Sequence, residues 1–201
     1  MIVDGQAEFR SIPRVLQRIT SPHTLLNPIY ADIQPFAPPA QIIRAVESKL
    51  PILRNKHVQM VLVLIDKETR DVCPGLWATQ LTTQLNHQCA RGGINSLSII
   101  IKNQSYENWL VSDTSVFGRM PRRFKLNAKQ LRAITPNKAD QVNAYRILSD
   151  SAIGSSYDKV SDAIQIMSLA DPLRIASNSR SFRRFLRQLK HPSYLKQSVR
   201  P

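Results

Sequence analysis

One apolar run constrains this chain more than any other feature. Residues 60–65, MVLVLI, are all apolar, and the run ends abruptly in Asp66-Lys67-Glu68. A short uninterrupted run followed by acids is typical of a strand that is buried on both faces of a parallel sheet. We therefore predict a central strand over residues 58–65 and expect the rest of the fold to be arranged around it.

Other segments alternate between strand and helix patterns along the chain. Strands are predicted over residues 1–4, 25–33 and 96–102, the second at a sheet edge because it contains Pro28. This alternation indicates an α/β fold, a parallel sheet flanked by helices. We assign residues 1–113 to this core and residues 114–201 to a basic, mainly helical extension packed on it. Helices are predicted from about residue 6 to 20 and over 39–50, 75–89, 107–113, 138–149, 157–169 and 179–190.

Composition points to a polyanionic partner. The chain has 201 residues, 28 Lys and Arg against 14 Asp and Glu, a formal charge of +14 and a pI near 10.4. Such an excess of positive charge, concentrated here beyond Arg119, indicates nucleic acid as the partner. Docking to an acidic protein remains an open alternative.

Several protein classes are disfavoured by the sequence. No apolar run approaches the roughly 18 residues of a membrane span, and the N-terminus does not resemble a signal peptide. We therefore expect a cytoplasmic protein with no membrane partner. Cys73, Cys89 and the scattered histidines lack the spacing of metal ligands, which disfavours a zinc site.

Polar side chains follow three of the predicted strands. If these strands are parallel neighbours, their carboxyl ends meet at one edge of the sheet, where α/β proteins bind ligands. Carboxylates that converge there repel one another unless a cation lies between them. Oxygen ligands of this kind suit Mg²⁺ or Mn²⁺. The residues concerned are Asp4 with Glu8, Asp66 with Glu68, and Ser105 with Glu107.

A purely structural interpretation of these residues stays open. Asp66 and Glu68 are also compatible with a solvated turn after the strand. Glu8 and Glu107 fit as acids in the first turn of a helix, where they interact favourably with the helix dipole, and Ser105 fits as a helix N-cap.

The last predicted helix has two distinct faces. Phe182 and Phe185 belong to an apolar face that we expect, with Trp109, to lie in the core. The other face is arginine-rich and suits the phosphates of nucleic acid, although a merely solvated face is the alternative. The arginines predicted to bind nucleic acid are Arg180, Arg183, Arg184 and Arg187 of this helix, with Arg122 and Arg123 of the stretch FGRMPRRFK.

Several segments, taken in order, resemble the TOPRIM domain of OLD-type nucleases. VDGQAEF resembles the glutamate-containing opening of that domain, and VLVLIDKE resembles its strand ending in paired acids. Ser105-Tyr106-Glu107 is similar to its Ser-x-Glu motif, and Lys159 to its downstream lysine. The chain also resembles small stand-alone TOPRIM-like proteins, often encoded beside an ATPase in prokaryotic defence loci, which end in a helix similar to SFRRF at 181–185.

The resemblance implies a metal-dependent nuclease or nicking subunit, with two Mg²⁺ or Mn²⁺ ions. Asp4, Glu8, Asp66 and Glu68 would hold one ion, and Asp66 would share a second with the Ser105–Glu107 motif. Asp66, Glu107 and Lys159 would be catalytic, with Lys159 stabilising charge on the scissile phosphate. DNA is favoured over RNA, in a defence or repair setting with an ATPase partner, and an oligomer is compatible with this. The alternative is a non-catalytic subunit that binds nucleic acid or the ATPase.

Overall fold

A computed structural model of the chain describes residues 1–90 and 93–197. Its centre is a parallel sheet of four strands in the order β2-β1-β3-β4. The strands are β1 (Ile2–Val3), β2 (Ile29–Tyr30), β3 (Met60–Asp66) and β4 (Ser96–Lys102). The predicted α/β fold, a parallel sheet flanked by helices, is therefore confirmed. Of the turn predicted at 91–93, the first two residues lie outside the described ranges.

Helices connect and follow the strands. Those of the first half are α1 (Gln6–Leu16), α2 (Pro39–Glu47), α3 (Leu50–Asn55), α4 (Pro74–Ala90) and α5 (Glu107–Ser112). Those of the second half are α6 (Ser115–Arg119), α7 (Ala128–Ile134), α8 (Ala144–Ser151), α9 (Ser161–Leu169), α10 (Pro172–Asn178) and α11 (Arg180–Gln188). Among the described residues, no helix combines the length and apolar character needed to cross a membrane.

The central strand explains why helices cover both faces of the sheet. Successive side chains of a strand point to opposite faces. Val61, Val63 and Ile65 belong to one hydrophobic cluster, with α2, α3 and α4, whereas Leu62 and Leu64 belong to another. Both faces of β3 are thus buried, as a continuous apolar run requires.

The C-terminal helices share a core with the sheet. Trp109 of α5 packs edge-on against Phe182 of α11, with ring centres 4.9 Å apart, and its indole nitrogen donates to Ser181 Oγ at 2.7 Å. Phe182, Phe185 and Leu64 belong to the same buried cluster. The predicted core location of Trp109 and the two phenylalanines is confirmed.

Proline accounts for two differences from the predicted helices. Pro51, which directly follows the predicted helix 39–50, lies in the first turn of α3, and Pro172, which lies between two predicted helices, begins α10. Proline suits this position because its missing N–H would have no partner inside the helix. Residues 114–136, where no helix is predicted, contain α6 and α7, and α7 begins with a capping box between Asn127 and Gln130.

Candidate metal centre

Three carboxylates converge at the carboxyl end of the sheet. Asp4 directly follows β1, Asp66 is the last residue of β3, and Glu8 lies in the first turn of α1. One oxygen atom from each lies within 4.8 Å of the other two. Val3 pairs with Leu64 across the two strands, so both strands end at nearly the same level. These three residues are called the carboxylate cluster below.

A buried lysine contacts all three acids. The side chain of Lys102 is fully buried, and its Nζ lies 2.7 Å from Asp4 Oδ1 and 3.0 Å from Asp66 Oδ1. Its ammonium also donates to Glu8 Oε1. The sheet register causes this contact: Asp66 pairs directly with Lys102 across β3 and β4, so the two side chains leave the sheet side by side. The cluster therefore contains an internal cation.

Two local features hold the acids in place. The other oxygen of Asp4 accepts a hydrogen bond from the backbone N–H of Asp66 at 2.6 Å, which joins the ends of β1 and β3. Gly5 begins α1, and a Cβ atom at this position would overlap the Glu8 carboxylate. Glycine is thus required at position 5 for the observed position of the Glu8 side chain, rather than for an unusual backbone conformation.

Burial strongly affects the charges of the cluster. It raises the pKa of Glu8 to about 7, against the attraction of Lys102, and the negative charge of Asp4 adds to the rise. Burial also raises the pKa of Asp66 well above its usual range. For Lys102 burial acts in the opposite direction, but the three carboxylates outweigh it and raise the pKa of the ammonium. Lys102 is therefore charged at neutral pH, while Glu8 exchanges protons near pH 7.

The donor set suits a hard divalent cation. All three residues offer carboxylate oxygens, which Mg²⁺ and Mn²⁺ prefer. Asp66 Oδ1 is buried and accepts no hydrogen bond from any residue that the structure describes, since Lys102 contacts it as an ion pair without hydrogen-bond alignment. The ammonium compensates the charge of this oxygen, and its remaining lone pairs are suitable for binding a metal ion.

The remaining predicted ligands lie around this cluster rather than in it. Glu68, half-buried and with a left-handed φ of 55°, has a raised pKa because of burial and of the nearby charges of Asp4 and Glu107. Glu107 is buried, and Lys159 Nζ lies 3.7 Å from its Oε1. Ser105 Oγ donates to Asn108 Oδ1 at 3.3 Å, within the turn before α5. Glu68, Glu107 and Lys159 thus lie within electrostatic reach of one another.

A cleft of about 230 Å³ opens beside the cluster. Asp4, Asp66 and Glu68 line it, together with Arg70. Tyr30 and residues 32–35, which belong to the loop 31–38 between β2 and α2, also line it. Asp4 and Asp66 are therefore accessible from the place where α/β proteins bind ligands, whereas Glu8 is buried.

The arginines predicted to bind nucleic acid have varied surroundings. Arg122 and Arg180 are exposed, whereas Arg123 donates to Asp162 and to the backbone carbonyls of residues 153, 155 and 156. These bonds give Arg123 a structural role, and it would have to break them to bind a phosphate. Arg183 donates to Ala176 O at 2.6 Å and to Asn137 Oδ1 at 2.8 Å.

Two further arginines lie beside a helix terminus. Backbone N–H groups of Leu76 and Gly75 lower the pKa of the Cys73 thiol, just before α4, and the nearby charges of Arg184 and Arg180 lower it further. Arg187 is partly exposed and makes a long 3.4 Å bond to Leu195 O. Phosphate binding by all six arginines stays a prediction.

Sequence reasoning missed Lys102 and Gly5. Lys102 ends the apolar run SLSIIIK, where a lysine is typical of a strand leaving the core for solvent. Predicting that Lys102 pairs with Asp66 requires the register between β3 and β4, which no local pattern gives. Gly5 stands three residues before Glu8, a spacing that places a residue beside the first helical turn.

The fold and the carboxylate cluster define an α/β protein with a candidate cation site at its strand ends. The chain belongs to the family described as Domain of unknown function (DUF4276), which it matches over residues 3–190. The matched range contains the whole carboxylate cluster and Lys102. No curated protein and no solved structure matches the chain significantly.

Proposed function

We propose that this protein is a metal-dependent nuclease or nicking subunit with a TOPRIM-like site, acting on nucleic acid. The observation that carries the proposal is the convergence of Asp4, Glu8 and Asp66 at the carboxyl end of a parallel sheet. An acidic cluster inside a protein with a formal charge of +14 is unusual. The two features complement each other: basic surfaces hold a phosphate backbone, and carboxylates hold the ions that act on it.

The charges of the site favour one divalent ion in the cluster. Metal binding requires the three carboxylates to be ionised; with one ammonium they then leave two negative charges, which one Mg²⁺ or Mn²⁺ balances. Bound ions of this kind polarise the phosphodiester and stabilise the attacking and leaving oxygens. For one ion to contact all three acids, the Lys102 ammonium must either keep contact with carboxylates that also bind the ion or move toward the cleft. Glu68 and Glu107, with Ser105, would hold a second ion farther out.

The remaining residues act on the substrate. Lys159 is largely exposed beside Glu107 and its ammonium stacks over the Tyr145 ring at 5.1 Å. From there it would stabilise charge on the scissile phosphate. We favour DNA over RNA and a cytoplasmic role in defence or repair with an ATPase partner, and the protein is compatible with oligomer formation.

Plasmid nicking tests the proposal. Wild-type protein should convert supercoiled plasmid to the open circle in Mg²⁺ or Mn²⁺ but not in EDTA. Asp66→Asn keeps the shape of the side chain and removes its charge, so we expect a loss of at least about 100-fold in rate, or about 2.7 kcal/mol in the barrier. The control is Asp150→Asn, an exposed acid that forms an ion pair with Arg146 on the same helix and should cleave like the wild type. An active Asp66→Asn variant would refute the proposed site.

Salt dependence tests the arginine surface separately from the chemistry. For a protein on duplex DNA, removing one phosphate-binding cation lowers the slope of log K against log salt by about 0.9. Replacing Arg183, Arg184 and Arg187 by Gln should therefore lower the slope by up to roughly 2.7 and weaken binding to all sequences alike. An unchanged slope would mean that this face is solvated or binds a protein.

Lys102 favours a second candidate function, a non-catalytic subunit. The internal ammonium already neutralises part of the cluster, which is also what a purely structural ion network requires. Such a subunit would bind nucleic acid or the ATPase through the same fold. Absence of nicking in both metals, with and without an added ATPase partner, together with retained DNA binding, would favour this alternative.

A further inference from the structure

An exposed phenylalanine directly follows Pro35, one of the residues that line the acidic cleft. Phe36 lies in the loop 31–38 and is 58% exposed. Its φ is 60°, in the left-handed region that aromatic residues rarely adopt. An exposed ring in a costly backbone conformation contributes little to folding, and such conformations concentrate at functional sites.

Arg70 supports one face of this ring. Its guanidinium carbon lies 5.4 Å from the centre of the Phe36 ring and 4.8 Å from that of Trp77 on α4. Its Nη2 donates to the carbonyl of Ala37 at 3.1 Å, which ties the guanidinium to the loop that carries Phe36. Trp77 is buried, with 6% exposure, so the three stacked groups extend from the core, through Arg70, to the exposed Phe36 ring. Trp77, Arg70 and Phe36 are called the stacking platform below.

The platform adjoins the carboxylate cluster. Arg70 lines the same cleft as Asp4 and Asp66, and so does Pro35, the residue before Phe36. A ligand whose phosphate reaches the cluster therefore lies in the cleft that Arg70 and Pro35, the two neighbours of the Phe36 ring, also line. The group next to a phosphate in a nucleic acid that can cover an aromatic ring is a nucleobase.

We propose that the stacking platform receives an unpaired nucleobase next to the phosphate bound at the carboxylate cluster. Base stacking on aromatic side chains is tolerant of sequence, because every base has a π-face. A base inside a duplex already stacks on its neighbours and cannot offer that face. This inference rests on the proposed function and names its substrate class: single-stranded nucleic acid, or a duplex with an unpaired nucleotide at the cleavage site.

Binding of short oligonucleotides tests the platform independently of cleavage. A single strand carrying 2-aminopurine, whose fluorescence falls on stacking, is titrated with protein in Ca²⁺, alongside a duplex of the same length. Phe36→Ala should weaken single-strand binding roughly 5- to 150-fold, the range that corresponds to 1–3 kcal/mol per stacked base. Phe36→Ala should also abolish the fluorescence decrease and leave duplex binding unchanged. Phe36→Trp should bind the single strand like the wild type and show the fluorescence decrease. The control is Ile52→Ala on α3, a residue 45% exposed, which should bind like the wild type.

The results that would refute the stacking platform differ from those that would refute the nuclease. Equal weakening of single-strand and duplex binding by Phe36→Ala, no weakening at all, or no binding of either form by the wild type would overturn the platform. A Phe36-dependent fluorescence decrease without nicking in Mg²⁺ or Mn²⁺ would support the platform and refute the nuclease. Metal-dependent nicking that Phe36→Ala leaves unchanged on both substrates would refute the platform and support the nuclease.

Discussion

Replacement of Lys102 by methionine tests whether the ammonium holds the carboxylate cluster together. Methionine keeps the length of the buried side chain and removes its charge. At an effective dielectric constant of about 20, one unit pair at 3.0 Å is worth about 5–6 kcal/mol. Desolvation of the ammonium offsets much of this attraction, and removing one partner of a buried ion pair typically costs 3–5 kcal/mol. We expect Lys102→Met to lose about that amount of unfolding free energy at pH 8 in EDTA.

Urea unfolding, followed by circular dichroism, measures this loss. At pH 5.5 the loss should shrink, because the carboxylates take up protons instead of repelling one another. Mg²⁺ should stabilise Lys102→Met more than the wild type. The difference should be about 1.4 kcal/mol for each tenfold by which the variant binds Mg²⁺ more tightly than the wild type does. Lys125→Met, the same change at an exposed lysine, is the control and should leave stability unchanged. Equal stability of Lys102→Met and wild type at pH 8 in EDTA, or equal gains from Mg²⁺, would refute the reasoning.

Three further predictions concern the cluster and the thiols. Gly5→Ala should displace the Glu8 carboxylate and weaken Mn²⁺ binding, measured by calorimetry, while the circular dichroism spectrum stays that of the wild type. The pKa of Glu8 in the folded protein is raised to about 7 from 4.5, so the metal-free protein should lose up to about 3 kcal/mol of stability as pH rises between these values. Glu8→Gln should lose less stability over the same pH range. Urea titrations measure both losses. Cys73, whose pKa is lowered by backbone N–H groups at the start of α4, should react with iodoacetamide faster than Cys89, which is buried and has a raised pKa. Mass spectrometry of the alkylated peptides measures this, and equal rates would contradict it.

The sheet could be predicted from the sequence because its strands are local patterns. The run at 60–65 is buried on both faces, and SLSIIIK forms β4 over the predicted residues 96–102. Parallel neighbours then bring the acids after their strands to one edge. Asp4, Glu8 and Asp66 meet there for this reason.

The composition of the site could be predicted only in part. The contact of Lys102 with three acids depends on the register between β3 and β4, which no local pattern specifies. Glu68 lies beside the cluster because its backbone turns to a φ of 55° directly after the strand, so it does not continue the strand alternation with Asp66. Tertiary contacts decide both outcomes.

The C-terminal half shows why proline is ambiguous in sequence. Pro172 follows Asp171, whose side chain accepts a hydrogen bond from the N–H of Leu173 and begins α10. The same residue pair also fits a helix end, since proline disfavours helical geometry in the residue before it. Arg123 is similar: a basic run predicts a phosphate contact, but its partner Asp162 is distant in sequence and buried.

Diffraction from crystals soaked in Mn²⁺ tests the central claim most directly. Anomalous scattering locates the ion without reference to activity. We predict a peak about 2.0–2.2 Å from oxygens of Asp4, Glu8 and Asp66, with Lys102 Nζ moved away from at least one of them. Absence of a peak at the cluster, with Lys102 still in contact with all three carboxylates, would contradict the account and leave the cluster as a structural ion network.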